Sequence, residues 1–151
     1  MTRLTNNFTL AELLRSDTAT ARGIDNMPGS VERANLDRLA AVLQEVRDML
    51  GHPMLVSSGY RSPALNRAVG GSPTSDHVRG LAADFTCPGF GSVRDVCEAI
   101  AASSIAFDQL IYEQGARSEW VHLGVGPRMR RQVLSWSPTW RYQAGIQRLV
   151  A

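Results

Sequence analysis

Between residues 30 and 50, apolar side chains recur at helical spacing: Leu36, Leu39, Val42, Leu43, Val46 and Leu50. That stripe predicts one long amphipathic helix, opened by Ser30 and closed by Gly51 and Pro53. A shorter helix precedes it, where Thr9-Leu-Ala-Glu12 reads as a capping box with Phe8 as the hydrophobic staple. Ser62 followed by Pro63 opens another short helix. Ser92 caps a further one, with Val93, Val96, Cys97 and Ile100 on its inner face. Residues 17–29 are small and polar, with Gly23, Pro28 and Gly29, and predict a loop. Strands are predicted at Met54–Ser57, Leu81–Thr86, Phe107–Tyr112, Trp120–Leu123 and Val133–Trp136. Residues 137–151 read as a peripheral tail with room for a short helix. Helices lead and strands follow, without regular βαβ alternation. This favours an α+β fold, a small antiparallel sheet with helices packed on one side.

Composition narrows the picture. A chain of 151 residues, 44% apolar and 20% charged, suits one globular domain over residues 1–151. A net charge of only +2 gives no electrostatic footprint for nucleic acid. Arg128, Arg130 and Arg131 form a local basic cluster that reads as a solvated strand edge. No apolar run reaches the ~18 residues of a membrane span, and the first residues lack the apolar core of a signal peptide. Both point to a protein made in the cytoplasm and not inserted in a membrane; a monomer is the expected state. Cys87 and Cys97 lack CxxC spacing and form no disulfide framework, which leaves at most a single bridge between them, and Cys97, at an apolar-periodic position, reads as a buried thiol.

The chemistry lies in two blocks. One is Ser75-Asp-His77-Val-Arg-Gly80-Leu-Ala82-Ala-Asp84, the other Glu119-Trp120-Val-His122. His77, Asp84 and His122 offer two neutral nitrogens and one anionic oxygen, the ligand set of a mononuclear zinc site that keeps an open position. Other divalent ions accept the same set. Gly80 lets the chain turn back toward the ion, and Asp84 shares a strand face with Ala82. Glu119 is a spare carboxylate for general-base work. It lies three residues from His122, so it must leave from a bend before the strand to reach the site. Asp76 is expected to face solvent, and His52 sits in a Gly-His-Pro turn away from both blocks.

These blocks resemble the family of zinc D-Ala-D-Ala peptidases. Val56-Ser-Ser-Gly-Tyr60-Arg61-Ser62-Pro-Ala-Leu-Asn66 and Phe107-Asp-Gln109-Leu-Ile are similar to its carboxypeptidase-like branch, which includes phage endolysins. The resemblance runs from about Phe8 to Gly124. It implies the zinc fold shared with Hedgehog-type signalling domains, and one zinc on His77, Asp84 and His122. It makes Glu119 the catalytic base and Arg61 the group that stabilises the oxyanion. Ser75 would bind substrate, with Tyr60 and Gln109 as further pocket residues. The implied activity is hydrolysis of D-amino-acid-containing bonds in peptidoglycan stem peptides, by a D-Ala-D-Ala carboxypeptidase or a cross-link endopeptidase. The setting expected is a phage or prophage endolysin that reaches the cell wall through a separate pore. Two other readings stand beside it: a non-catalytic zinc-stabilised binding or virion-structural domain, and a dipeptidase acting on free D-Ala-D-Ala.

Overall fold

The computed structural model describes residues 2–149. Thr9 caps α1 (Leu10–Leu14) by accepting from the Glu12 amide, as its sequence predicts. Residues 17–29 are not all loop: α2 occupies Asp17–Arg22, between a Ser16 cap and Gly23 in the left-handed region. Its Thr-Ala-Thr-Ala core has no apolar period, and only Ala19 is buried, so pattern reading passes over it. The long α3 (Ser30–Leu50) buries Leu36, Leu39, Ala40, Leu43, Val46 and Leu50. α4 (Pro63–Ala68) is capped by Ser62. α5 (Val93–Ala102) has a full capping box between Ser92 and Asp95.

Five strands follow the predicted segments with shifted ends, β1 (Leu55–Ser58), β2 (Ala82–Thr86), β3 (Gln109–Gln114), β4 (Glu119–Gly124) and β5 (Gln132–Ser137), and a sixth, β6 (Arg141–Ala144), forms where a tail was expected. They form one sheet in the order β1-β2-β4-β3-β5-β6. The sheet is mixed, not purely antiparallel, because β5 runs parallel to β3. The cause is topological. β2 already occupies the outer edge of β4, so the chain leaving β4 must cross to the free edge of β3. Backbone bonds from Arg131 to Phe107 and from Gln132 to Asp108 guide that crossing. The described part of the predicted tail, residues 137–149, lies at the sheet edge as a strand, with no helix. Ser137 ends β5, and β6 pairs with β5 as a sixth strand. Residues 150 and 151 lie outside the described part.

Period two divides the sheet between two tasks. Ala83, Phe85, Leu110, Tyr112, Val121 and Leu123 face the helical layer and join Leu39, Leu43, Val96 and Ile100 in the core. The opposite face carries Asp84, Gln109, Ile111, Glu113, Trp120 and His122, which line a cleft. Cys87 and Cys97 are both free and buried, and burial pushes the Cys97 thiol up to about 12. The basic cluster is tied into the structure. Arg130 pairs with the buried Asp108. Arg131 lies 4.6 Å over the Phe107 ring and donates to the Ile105 and Ser103 carbonyls.

Candidate metal centre and cleft

His77 sits in a single 3₁₀ turn over Asp76–Arg79. The Ser75 hydroxyl caps the turn by accepting from the His77 amide at 3.2 Å. Gly80 ends it at φ +73°, where a Cβ would also meet the Glu32 carbonyl at 2.7 Å. Only glycine fits that exit, which sends the chain straight into β2 and Asp84. The His77 Nδ1 donates to the Gly59 carbonyl at 2.8 Å. A carbonyl can only accept, so this bond fixes the tautomer and leaves the Nε2 lone pair facing Asp84.

Asp84 and His122 are direct cross-strand partners of β2 and β4. The His122 Nδ1 lies 3.0 Å from Asp84 Oδ1, and the His77 Nε2 lies 3.3 Å from the same oxygen. The donor atoms of His77, Asp84 and His122 all lie within 4.8 Å of one another, and all three residues are buried. Burial opposes ionisation of Asp84, but the two histidines outweigh it and hold the carboxyl well below its usual range. Burial also disfavours a charged His122. The Asp84 hydrogen bond and charge, with Glu113 and Asp76, raise its pKa nonetheless. Two imidazoles and an ionised carboxylate, converging inside one buried triangle with a fixed tautomer, fit a zinc ion. Arg61 braces the centre from the side. Its guanidinium reaches Asp84 Oδ2 at 3.5 Å, Ser58 Oγ at 3.0 Å and Asn66 Oδ1 at 3.3 Å.

The carboxylate expected to serve as base lies elsewhere. Glu119 is the first residue of a regular β4, paired with Gln114, with no bend to release it. Its side chain shares the face of Val121, where it accepts from Tyr112 Oη at 3.0 Å and pairs with Arg148. It does not line the cleft that contains the histidines. The residue facing them is Glu113, on β3 opposite Trp120. Glu113 Oε1 is 3.7 Å from His122 Nδ1. Burial pushes its pKa up to about 7, although His122 and Arg61 pull it down. A carboxylate near neutrality, within reach of an open metal position, is suited to general-base work.

Tyr60 also departs from its expected place: it is 5% exposed and packed in the core, not in the cleft. Arg61, Ser75 and Gln109 do line the cleft, with Gln109 bonded to Gln132 at 2.7 Å. Asp76 lines it as well instead of facing away to solvent, and pairs with Arg79 at 3.4 Å. The cleft encloses about 610 Å³ and extends beyond the metal centre to Trp136, Arg141 and Tyr142 on β5 and β6. Sequence reading passed over Glu113. The signal available was its alternation with Gln109 and Ile111 on a strand that hairpins back onto His122.

The profile of the peptidase M15 family matches residues 6–124. The chain is 35% identical over 106 residues to the zinc D-Ala-D-Ala carboxypeptidase of Streptomyces albus G, covering 70% of this chain. It spans 40% of that relative's length. The matched segment holds α1 to β4, and with them His77, Asp84, His122 and Glu113. Together, the family match and the buried His-Asp-His centre place this chain in the peptidase M15 family.

Proposed function

We propose that this protein is a zinc-dependent peptidase that hydrolyses D-amino-acid-containing bonds of peptidoglycan stem peptides, with D-Ala-D-Ala carboxypeptidase action as the leading case. The observation that carries the reading is Glu113. A structural metal centre has no use for a half-buried, near-neutral carboxylate 3.7 Å from a ligand nitrogen, lining the cleft. His77 Nε2, the Asp84 carboxylate and His122 Nδ1 would hold the zinc, which supplies a Lewis acid that acidifies water and polarises the scissile carbonyl. Glu113 takes a proton from the attacking water at its carboxylate oxygen. The new C–O bond forms as that proton moves. Glu113 then returns the proton to the leaving amine as the C–N bond breaks. Arg61 holds Asp84 in place and puts a positive charge beside the carbonyl oxygen where negative charge develops. Ser75, at the cleft wall, is positioned to bind the C-terminal end of the substrate.

A cleft of about 610 Å³ falls in the range of sites for drug-sized ligands, which supports a peptide arm longer than a free dipeptide. Cleavage of cross-links belongs to the same proposal, as does the setting of a phage or prophage endolysin acting on the wall after passage through a separate pore. No helix among the described residues is long and apolar enough to cross a membrane. The test is mass spectrometry of purified cross-linked muropeptides after incubation with zinc-loaded protein, beside a chelated control. Metal-dependent loss of terminal D-Ala supports the carboxypeptidase, and resolved dimers support the endopeptidase. Intact muropeptides with fully loaded, folded protein would overturn both. Lysis by cytoplasmic expression only when a pore-former is co-expressed tests the endolysin setting.

A further inference from the structure

The β5–β6 hairpin lies beyond the family-matched segment, yet it lines the same cleft. Register shows how. Glu113 pairs with Trp120 on one side and with Trp136 on the other, and Trp136 pairs with Tyr142. One cross-strand row therefore runs Trp120, Glu113, Trp136, Tyr142 over four adjacent strands, all on the cleft face. Arg141 closes the row, with its guanidinium 5.4 Å from the Trp136 ring centroid. Among the described residues no carboxylate pairs with Arg141, although it borders a cleft whose other cation, Arg61, is occupied by Asp84.

The backbone adds an independent observation. Ser137 pairs with Arg141 across a three-residue loop, and Arg141 has φ +56°. That is the left-handed region, which favours glycine. An arginine there is strained, so local folding does not explain the choice. Its side chain lines the cleft.

We propose that the β5–β6 hairpin is a substrate-binding arm that selects peptides carrying a carboxylate on the N-terminal side of the scissile bond. This rests on the peptidase reading above. Arg141 binds the carboxylate, while Trp136 and Tyr142 pack against the intervening aliphatic atoms. Strand spacing sets the distance. Tyr142 lies two strands from Glu113, roughly 10 Å, which about three extended residues span.

The test uses two acetylated peptides ending in D-Ala-D-Ala that differ only in glutamate or glutamine as the third residue before the scissile bond. The ratio of kcat/KM for the acidic over the neutral peptide is measured for wild type and Arg141→Gly. A charged hydrogen bond lost at a half-open site predicts a fall of about tenfold in that ratio. The Arg141→Gly melting temperature should equal or exceed that of wild type, since glycine relieves the left-handed strain. Arg141→Asn, which tolerates the same φ, should repeat the loss of selectivity. An unchanged ratio in both variants overturns the proposal. If wild type cleaves neither peptide, the peptidase reading fails separately. Calorimetric titration of the acidic peptide into zinc-loaded protein then decides the arm: tighter binding by wild type than by Arg141→Gly supports it, and equal or absent binding overturns it.

Discussion

Exchanging one oxygen for nitrogen at each of two glutamates separates the two candidate bases. Glu113→Gln keeps the side-chain shape but removes the proton acceptor from a half-buried carboxylate 3.7 Å from His122. General-base catalysis is worth about 10²–10⁴-fold, so kcat should fall by that factor, or about 3–5 kcal/mol of barrier. Zinc content should be unchanged, because Glu113 is not among the converging ligands. Glu119→Gln removes an ion pair with Arg148 whose side chains are 28% and 53% exposed. A pair that open contributes little to stability. The Tyr112 hydrogen bond survives in the amide. The variant should melt a few degrees lower and retain kcat within about threefold. The assay is D-Ala release from a stem-peptide substrate, with metal content measured on the same preparations. A dead Glu119→Gln beside an active Glu113→Gln would refute the assignment, whatever the fold of the rest.

Three further outcomes follow from the structure. Gly80→Ala should cost about 2–3 kcal/mol in thermal or denaturant unfolding, since it combines φ +73° with a contact at 2.7 Å to the Glu32 carbonyl. Asp108→Asn should lower stability at neutral pH by removing the charge and one acceptor from the paired bonds to Arg130 at 2.8 and 2.9 Å. Arg130 depresses the folded pKa of Asp108, so its contribution is complete above the unfolded value of about 3.9 and is lost as pH falls below it. Melting curves of wild type and Asp108→Asn should therefore converge at low pH. Finally, removing the metal with a chelator should lower the wild-type melting temperature, and Asp84→Asn should abolish most of that difference, because only the folded centre gathers the ligands.

The metal centre was legible in the sequence because its constraints are local. His77, Gly80 and Asp84 belong to one turn-and-strand unit, where a left-handed glycine and period two dictate where each side chain goes. His122 joins through an ordinary antiparallel partner. Glu119 falls away from the metal centre because a three-residue interval within β4 crosses to the other face of the sheet. Glu119 thus joins Tyr112 and Arg148, whereas Glu113 reaches the centre from the neighbouring strand. That placement depends on hairpin register, which the Glu-x-x-His pattern does not encode. The parallel β3–β5 pair was hidden for a related reason: which edge β5 takes depends on β2 already occupying the other. Tyr60 was ambiguous in sequence because core and cleft both accept a tyrosine; burial places it in the core.

The most direct measurement is a crystal structure of the zinc-loaded protein, with anomalous data collected at the zinc edge. One peak is predicted per chain, bound by His77 Nε2, the Asp84 carboxylate and His122 Nδ1, with Glu113 facing the open position and Glu119 paired with Arg148. A zinc held by other residues, or one faced by Glu119 with Glu113 turned away, would contradict the account.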